Sequence, residues 1–384
     1  MIESKLPGIG QSIFAVMTKM ANDQRAINLS QGFPDFNCPD QLIELVRHYS
    51  LKGFNQYAPM PGVLRLREEI AAKVKRFYNH DTDPELNITI TAGATQALFT
   101  AILAVVGDGD EVIVFEPAYD SYLPAIILAG GVPVPVELNE KDFSYDWELV
   151  RAKITNRTRL IILNSPHNPS GYVFTPEDIS ELQKIASEKD VFFISDEVYE
   201  HIIFDGKEHL SFLKYPELSS RSLVISSFGK TYHTTGWKMG YVIANEELAK
   251  EFRKVHQFNV FAVNTPVQHA YAEFMKDDKH PRQLPEFYQK KRDYFLELIS
   301  ESPFQASPAS GTYFQLLDYT GISSMDDFSF AEKLVKEIGV AVIPLSPFYT
   351  VKGKRKYIRI CFAKTEKVLE DASLKLKSGS YSGF

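Results

Sequence analysis

The stretch Val191-Phe192-Phe193-Ile194-Ser195-Asp196-Glu197-Val198-Tyr199 holds four apolar residues in succession and then turns abruptly to charge. A continuous apolar run of this length, unlike an alternating one, suits a strand covered on both faces. On either side of it, the same kind of run recurs at Ile88-Thr89-Ile90-Thr91, Glu111-Val112-Ile113-Val114-Phe115, Leu160-Ile161-Ile162-Leu163, Leu223-Val224-Ile225-Ser226 and Gly240-Tyr241-Val242-Ile243. Helical patterns lie between several of them: Ala94 to Val106, Tyr119 to Ala129, Pro176 to Lys189 and Glu246 to Gln257. Ahead of the series, Pro61 to Tyr78 carries Leu66, Ile70 and Val74 four apart on one helical face. Such alternation predicts an α/β fold with a mostly parallel central sheet and helices on both faces.

After about residue 270 the character changes. A polar, aromatic-rich helical region, Gln268 to Ser300, is expected to break near Pro281 and Pro285. Strand candidates Thr312 to Leu317, Val340 to Pro344 and Tyr357 to Phe362 come next, which reads as a smaller α+β domain. The tail from Ser378 to Phe384 is expected to be frayed or disordered.

Composition excludes several classes. The 384 residues exceed one average domain of roughly 150, so two or three cores are expected. Net charge is −7, from 49 acidic and 42 basic side chains, which argues against a nucleic-acid-binding surface. The longest near-continuous apolar stretch, Ala97 to Val106, is about half a membrane span. The start, Met1-Ile2-Glu3-Ser4-Lys5, leads into no apolar signal core, so a cytoplasmic protein is expected. Two cysteines, Cys38 and Cys361, form neither a disulfide framework nor a zinc site.

Ligands of α/β sheets gather at the carboxyl ends of the strands. The residues at the end of each apolar run therefore make up a candidate site: Gly93-Ala94-Thr95, Glu116-Pro117-Ala118-Tyr119, Asn164 through Pro169, Asp196-Glu197-Val198-Tyr199 and Ser227-Phe228-Gly229-Lys230. Each element alone has a plain structural explanation: a tight turn, a cap, a solvated lysine. Glu197 and His201 have the i, i+4 spacing of a metal pair, but no third ligand accompanies them, so no metal is expected. The glycines between Gly229 and Gly240 do not match the dinucleotide fingerprint. Together the elements are more specific. An anion cradle at a helix start, a lysine amine, a buried carboxylate and a Tyr/Asn pair are what pyridoxal 5′-phosphate requires.

The sequence resembles the fold type I, class I pyridoxal-phosphate-dependent aminotransferases over nearly its whole length. The carrying motifs run from Asn28-Leu29-Ser30-Gln31-Gly32-Phe33-Pro34-Asp35 through Asn168-Pro169-Ser170-Gly171, Asp196-Glu197-Val198-Tyr199, Ser227-Phe228-Gly229-Lys230 and Thr235-Gly236-Trp237-Lys238 to Tyr357-Ile358-Arg359-Ile360-Cys361-Phe362. Ser30 to Asp35 and Asn55-Gln56-Tyr57 look most similar to the methionine and kynurenine/glutamine aminotransferase branch.

The resemblance implies a role for each matching residue. Lys230 matches the lysine that joins the cofactor aldehyde, Asp196 the ring-nitrogen partner, and Tyr199 and Asn168 the groups on the ring oxygen. Gly93, Ala94, Thr95, Ser227 and Lys238 match phosphate-binding positions, with Lys238 serving as a point charge. Tyr119 matches the aromatic residue stacked on the ring. Tyr57 matches a tyrosine that reaches the neighbouring subunit's cofactor phosphate, which implies a homodimer. Arg359, helped by Asn168 and the backbone of Gly32, matches the grip on the substrate carboxylate. Phe258 to Val263, with Phe261, resembles the uncharged side-chain pocket of the neutral-substrate branch, and together with Tyr57 and Tyr119 it implies a large neutral substrate pocket. The implied activity is transamination of a neutral amino acid, methionine first, then glutamine, kynurenine, phenylalanine or tyrosine, with a 2-oxo acid. The alternative is a C–S β-lyase acting on cysteine conjugates or cystathionine. The implied division is a large domain over 36–270 and a discontinuous small one from 1–35 and 271–384.

Overall fold

The computed structural model describes residues 2–351, 353, 355–381 and 384. Seven strands form the central sheet in the order Ile88–Thr91, Gly240–Ile243, Ser222–Ser227, Phe192–Asp196, Thr158–Asn164, Glu111–Glu116, Val132–Glu137. Gly240–Ile243 runs antiparallel to both neighbours, and every other pairing is parallel. The mostly parallel sheet expected from the apolar runs is present.

Side chains on these strands sort to two faces with the period of two that a strand imposes. Val112, Val114, Leu160, Ile162 and Ile194 face one cluster, formed with helices Ala94–Val105, Tyr122–Leu128 and Glu246–Asn259. Ile113, Phe115, Ile161, Leu163 and Phe193 face the other, formed with Leu64–Tyr78 and Pro176–Glu188. Both faces are covered, which is why most runs show no polar alternation; Ile88–Thr91 alternates with threonine yet is buried throughout. The exception is Val132–Glu137, a strand that its sequence does not announce. It lies at the edge, half-exposed, and carries Pro133 and Pro135, whose missing N–H groups suit an unpaired rim.

Beyond the sheet, Phe314–Asp318, Tyr357–Cys361 and Ile343–Pro344 form a three-stranded antiparallel sheet. Ile27–Asn28, near the amino end, pairs in parallel with Val340–Ala341. The expected strand Val340 to Pro344 is thus two short strands in different sheets. The expected break at Pro281 and Pro285 is also displaced. Thr265–Phe274 ends before Lys279–Ile299 begins, and the latter helix runs on through Pro285. Pro281 falls in its first turn, where no intrahelical N–H is needed. The expectation of a frayed tail fails as well, although part of that tail, Ser382 and Gly383, lies outside the described residues. Helix Glu366–Ser378 is followed by Tyr381, whose ring meets Phe304 edge-on at 5.8 Å, while Phe384 meets Phe330 at 5.5 Å. No helix among the described residues is long and apolar enough to cross a membrane.

The turn after Phe192–Asp196 is fixed from behind by a buried polar network. Glu197 accepts from Ser195 Oγ at 2.8 Å and from the Phe212 N–H at 3.0 Å, and its other oxygen meets His209 Nε2 at 2.8 Å. Glu200 accepts from Lys73 and from the Tyr78 hydroxyl. Burial pushes the Glu200 carboxyl up, but the Lys73 charge and these bonds outweigh it and hold the group well below the usual carboxylate range. Because the folded value is depressed, the pair stabilises fully above the unfolded value of about 4.3. That contribution is lost as pH falls below it. Lys73→Met should leave Glu200 buried and unpaired, lowering stability by about 3–5 kcal/mol in urea unfolding at neutral pH. A loss under about 1 kcal/mol would mean that water reaches Glu200 and that the pair does not brace this turn.

Candidate active site

Strand register places the site. Asn164 lies opposite Asp196, and Gly240 lies opposite both Ser227 and Thr91. The carboxyl ends of the parallel strands therefore share one edge with the start of the reversed strand Gly240–Ile243. Lys238 lies two residues before that start, and Gly93 two residues after Thr91. A cavity of about 630 Å³ opens along this edge, closed on its far side by Gly32, Phe314 and Arg359. Of the residues to which the resemblance gives a role, all line it except Tyr57 and the segment Phe258 to Val263; of the wider strand-end stretches, Glu116 to Ala118, Ser165 to His167, Pro169, Glu197 and Phe228 do not.

One end of the cavity is built for an anion. Gly93 caps helix Ala94–Val105 at φ +81°, a left-handed conformation that favours glycine, with no side chain bonding the helix's free N–H groups. A methyl group on Gly93 would lie 3.5 Å from Lys238 Nζ, so the ammonium stands over the positive end of the helix. Gly240 lets the reversed strand approach this turn: a Cβ there would meet the Ser226 carbonyl at 2.8 Å and the Ala94 nitrogen at 3.0 Å. Two positive poles side by side, with the Ser227 residue at the same edge, fit a phosphate between them.

The middle of the cavity is walled by polar groups on rigid supports. Asp196 is buried, and its Oδ2 accepts from the Tyr122 hydroxyl at 2.6 Å. Burial pushes its carboxyl up to about 6, and the Tyr122 bond offsets part of that rise. The carboxylate is thus short of positive charge, which a protonated ring nitrogen would supply. Asn164 binds the Asp196 carbonyl through Nδ2 at 2.8 Å and the Asn168 N–H through Oδ1 at 2.7 Å, tying the two strand ends together. Tyr119 holds its hydroxyl 3.3 Å from Thr95 Oγ1 and its ring edge-on to Tyr122. The Tyr199 phenol, buried beside this wall, is pushed far up by burial and stays a neutral hydroxyl.

Lys230 rises from the one-turn helix Phe228–Thr231 at the end of Ser222–Ser227. Its Nζ donates to the Tyr313 hydroxyl at 2.7 Å and to the Gly32 carbonyl at 3.3 Å. Burial pulls the amine down to about 8, close to the range where an amine exchanges protons near neutral pH.

Arg359 closes the far end on strand Tyr357–Cys361, 1% exposed. Its Nη1 donates to Asn168 Oδ1 at 2.7 Å, and its guanidinium lies 3.8 Å over the Phe314 ring. Its buried Nε has no partner, and no carboxylate bonds the guanidinium among the described residues. Burial pulls it down to about 10. Asp120 acts on it only at a distance, and a buried cation with no carboxylate bonded to it is costly unless an anion enters to meet it.

Tyr57 and Phe261 stand elsewhere, 84% and 47% exposed, with their rings edge-on at 5.6 Å. Glu197 and His201, weighed as a metal pair, are spent in the network behind the sheet. Among the described residues no group of three or more His, Cys, Asp or Glu could hold a metal. Sequence reading gives no role to Asn164, Tyr122 or Tyr313. Asn164 is visible as the last residue of its strand; Tyr122 and Tyr313 carry no signal until the chain is folded.

The profile of the family "Aminotransferase class I and II" matches residues 24–375. The chain is 48% identical to an Escherichia coli methionine aminotransferase, covering 98% of this chain and 97% of the relative. It is 33% identical to human kynurenine–oxoglutarate transaminase 1, covering 97% of each. Among solved structures, E. coli YbdL, described as having a methionine aminotransferase function, superposes with a TM-score of 0.95 at 48% identity, covering 98% of this chain and 99% of that one. A Mycobacterium tuberculosis N-succinyldiaminopimelate aminotransferase also reaches 0.95, at 34% identity and the same coverage.

Proposed function

Because the chain belongs to the class I and II aminotransferases and is a pyridoxal-phosphate-dependent transaminase, we propose that it moves the amino group of a neutral amino acid, methionine first and aromatic ones next, to a 2-oxo acid. One observation carries this reading: a buried arginine that no carboxylate of the described residues bonds faces the catalytic lysine across a cavity whose described lining holds no spare cation. Among the described residues lining that cavity, the cations are Lys230, Lys238 and Arg359. The first serves chemistry, the second a phosphate, the third the substrate α-carboxylate. None remains for a distal carboxylate, while Phe14, Phe33 and Phe314 offer apolar surface to a side chain. The methionine and kynurenine aminotransferases among the relatives agree with such a substrate.

Bound cofactor supplies an aldehyde for the amino group and a ring that absorbs the electron pair left when the Cα proton departs. The protein does the rest. The N–H groups that open helix Ala94–Val105, with Thr95, Ser227 and Lys238, would hold the phosphate. Tyr119 would cover the ring, Asp196 would pair with its nitrogen, and Asn168 and Tyr199 would bond its oxygen. Arg359 grips the substrate carboxylate with a two-pronged fork, helped by Asn168 and the Gly32 N–H, and so aims the Cα–H bond. Lys230, neutral in a useful fraction at pH 7 to 8, takes that proton.

The same reading includes a cytoplasmic homodimer, in which Tyr57 reaches the phosphate in the partner subunit and Phe261 lines the partner's pocket. The exposure of Tyr57, Phe258 and Phe261 supports it. It also keeps the division into 36–270 and 1–35 with 271–384.

Steady-state rates for methionine, phenylalanine, tyrosine, kynurenine, glutamine and aspartate against several 2-oxo acids test the proposal. Methionine and the aromatic donors should exceed aspartate in kcat/KM by about 100-fold or more. Aspartate equal to methionine would overturn it. Ammonia and pyruvate released from cysteine conjugates, with no new amino acid formed, would favour a β-lyase.

A further inference from the structure

The Lys230 amine has two partners, and one of them takes no part in binding cofactor or substrate. Tyr313 is fully buried, and its hydroxyl donates to the Gly32 carbonyl at 2.6 Å. Its single proton being spent there, the phenol oxygen turns its lone pairs toward Lys230 Nζ, 2.7 Å away. The Gly32 carbonyl also accepts from the amine, at 3.3 Å. Three segments far apart in sequence thus meet at one nitrogen, and two of them present acceptors.

We propose that Tyr313 is a positioning residue for the catalytic amine: its hydroxyl and the Gly32 carbonyl form a berth that holds the Lys230 ammonium whenever the amine is not joined to the cofactor. The inference rests on the assignment of Lys230 as the catalytic amine and deepens it.

The berth is rigid. The Tyr313 ring is clasped by Tyr199 edge-on at 5.2 Å, Phe314 at 5.0 Å and Tyr288 at 5.8 Å. Thr312, immediately before it, is held at φ +66°, a conformation that a β-branched residue adopts only when its surroundings impose it. Its N–H donates to the Ile202 carbonyl at 2.9 Å, and the neighbouring Gly311 has no room for a side chain against Pro166. Tyr313 Oη is therefore placed by the backbone on one side and three rings on the other. An amine that has accepted a proton carries three donors into a site with Arg359 and Lys238 close by. Two fixed acceptors compensate that charge and stop the side chain from wandering between catalytic events.

The other ionisable groups around the pair are Asp196 and Tyr199 at the end of their strand, Lys238 before Gly240, Tyr288 on Lys279–Ile299, and Arg359 and Cys361 on Tyr357–Cys361. All remain when Tyr313 loses only its oxygen; Tyr199, which is hydrogen-bonded to Tyr313, is the one whose own surroundings change with it. Tyr313→Phe keeps the ring. In protein stripped of cofactor, reductive methylation with ¹³C-formaldehyde labels lysines, and the Lys230 resonance is identified by its absence in Lys230→Ala. Its titration midpoint should fall by about one pH unit in Tyr313→Phe. In the loaded enzyme kcat should fall about 10-fold or more, with KM for methionine within about 3-fold. Tyr313→Leu, also without the oxygen, serves if the first variant does not fold, and is expected to behave alike. An unchanged midpoint together with unchanged kcat overturns the berth. An active Lys230→Ala would instead overturn the assignment of the amine, so the two failures are distinct.

Discussion

Lys230→Ala should remove both turnover and the absorption band at the edge of the visible that bound cofactor gives when joined to a lysine. The loss in kcat should be on the order of 10⁴-fold or more, since in the proposed assignment one residue supplies both the covalent attachment and the proton carrier. The nearest competitor, Lys238, cannot replace it. That lysine stands in left-handed backbone at φ +53°, with its ammonium against Gly93 at the anion cradle. The variant should fold. Burial lowers the Lys230 amine to about 8, below its unfolded value, so at neutral pH the charged amine opposes folding of the cofactor-free protein. Its removal leaves stability equal or higher, which a denaturant midpoint checks. A surviving band in a folded Lys230→Ala would place the attachment on another amine.

Arg359→Ala should leave the cofactor and its band in place while kcat/KM for methionine falls on the order of 10²–10³-fold. That corresponds to about 3–4 kcal/mol, within the range for truncating one partner of a desolvated charge pair. The separation of effects arises from the geometry, because Arg359 bonds Asn168 and lies over Phe314 but makes no contact with the Gly93 cradle or Asp196. Arg359→Lys should recover little. A lysine offers a point charge without the fork, and its strongly hydrated ammonium suits a fully buried site less well. Loss of the cofactor band in Arg359→Ala would show that the residue holds the cofactor and not the substrate.

Both expectations use residues that are legible before folding, and the reason is specific. Parallel strands buried on both faces are rich in apolar residues, so the few residues that follow each run mark a carboxyl end. Asp196, Asn164, Ser227 and Gly93 are found in this way, and Lys230 lies within one helical turn. Arg359 stands out as a charge between Ile358 and Ile360 on an otherwise apolar strand. The edge strand Val132–Glu137 escapes because edge strands need no continuous apolar run, and its prolines argue against a strand unless the edge is known. The break before Lys279 is misplaced for a related reason: Pro281 is harmless in a first turn, and only the tertiary path shows where that turn falls.

The amino-acid order by itself determined six of the central strands, the side on which ligands collect and the chemical kinds that collect there, because burial and strand period act locally along the chain. The tertiary structure decided which of those groups meet. It set Tyr122 on Asp196, 74 residues away, and Tyr313 on Lys230, 83 residues away. It left Tyr57 and Phe261 outside the cavity of a single subunit. A hydrogen bond between side chains is a matter of a few ångströms in three dimensions, and no periodicity in one dimension encodes it.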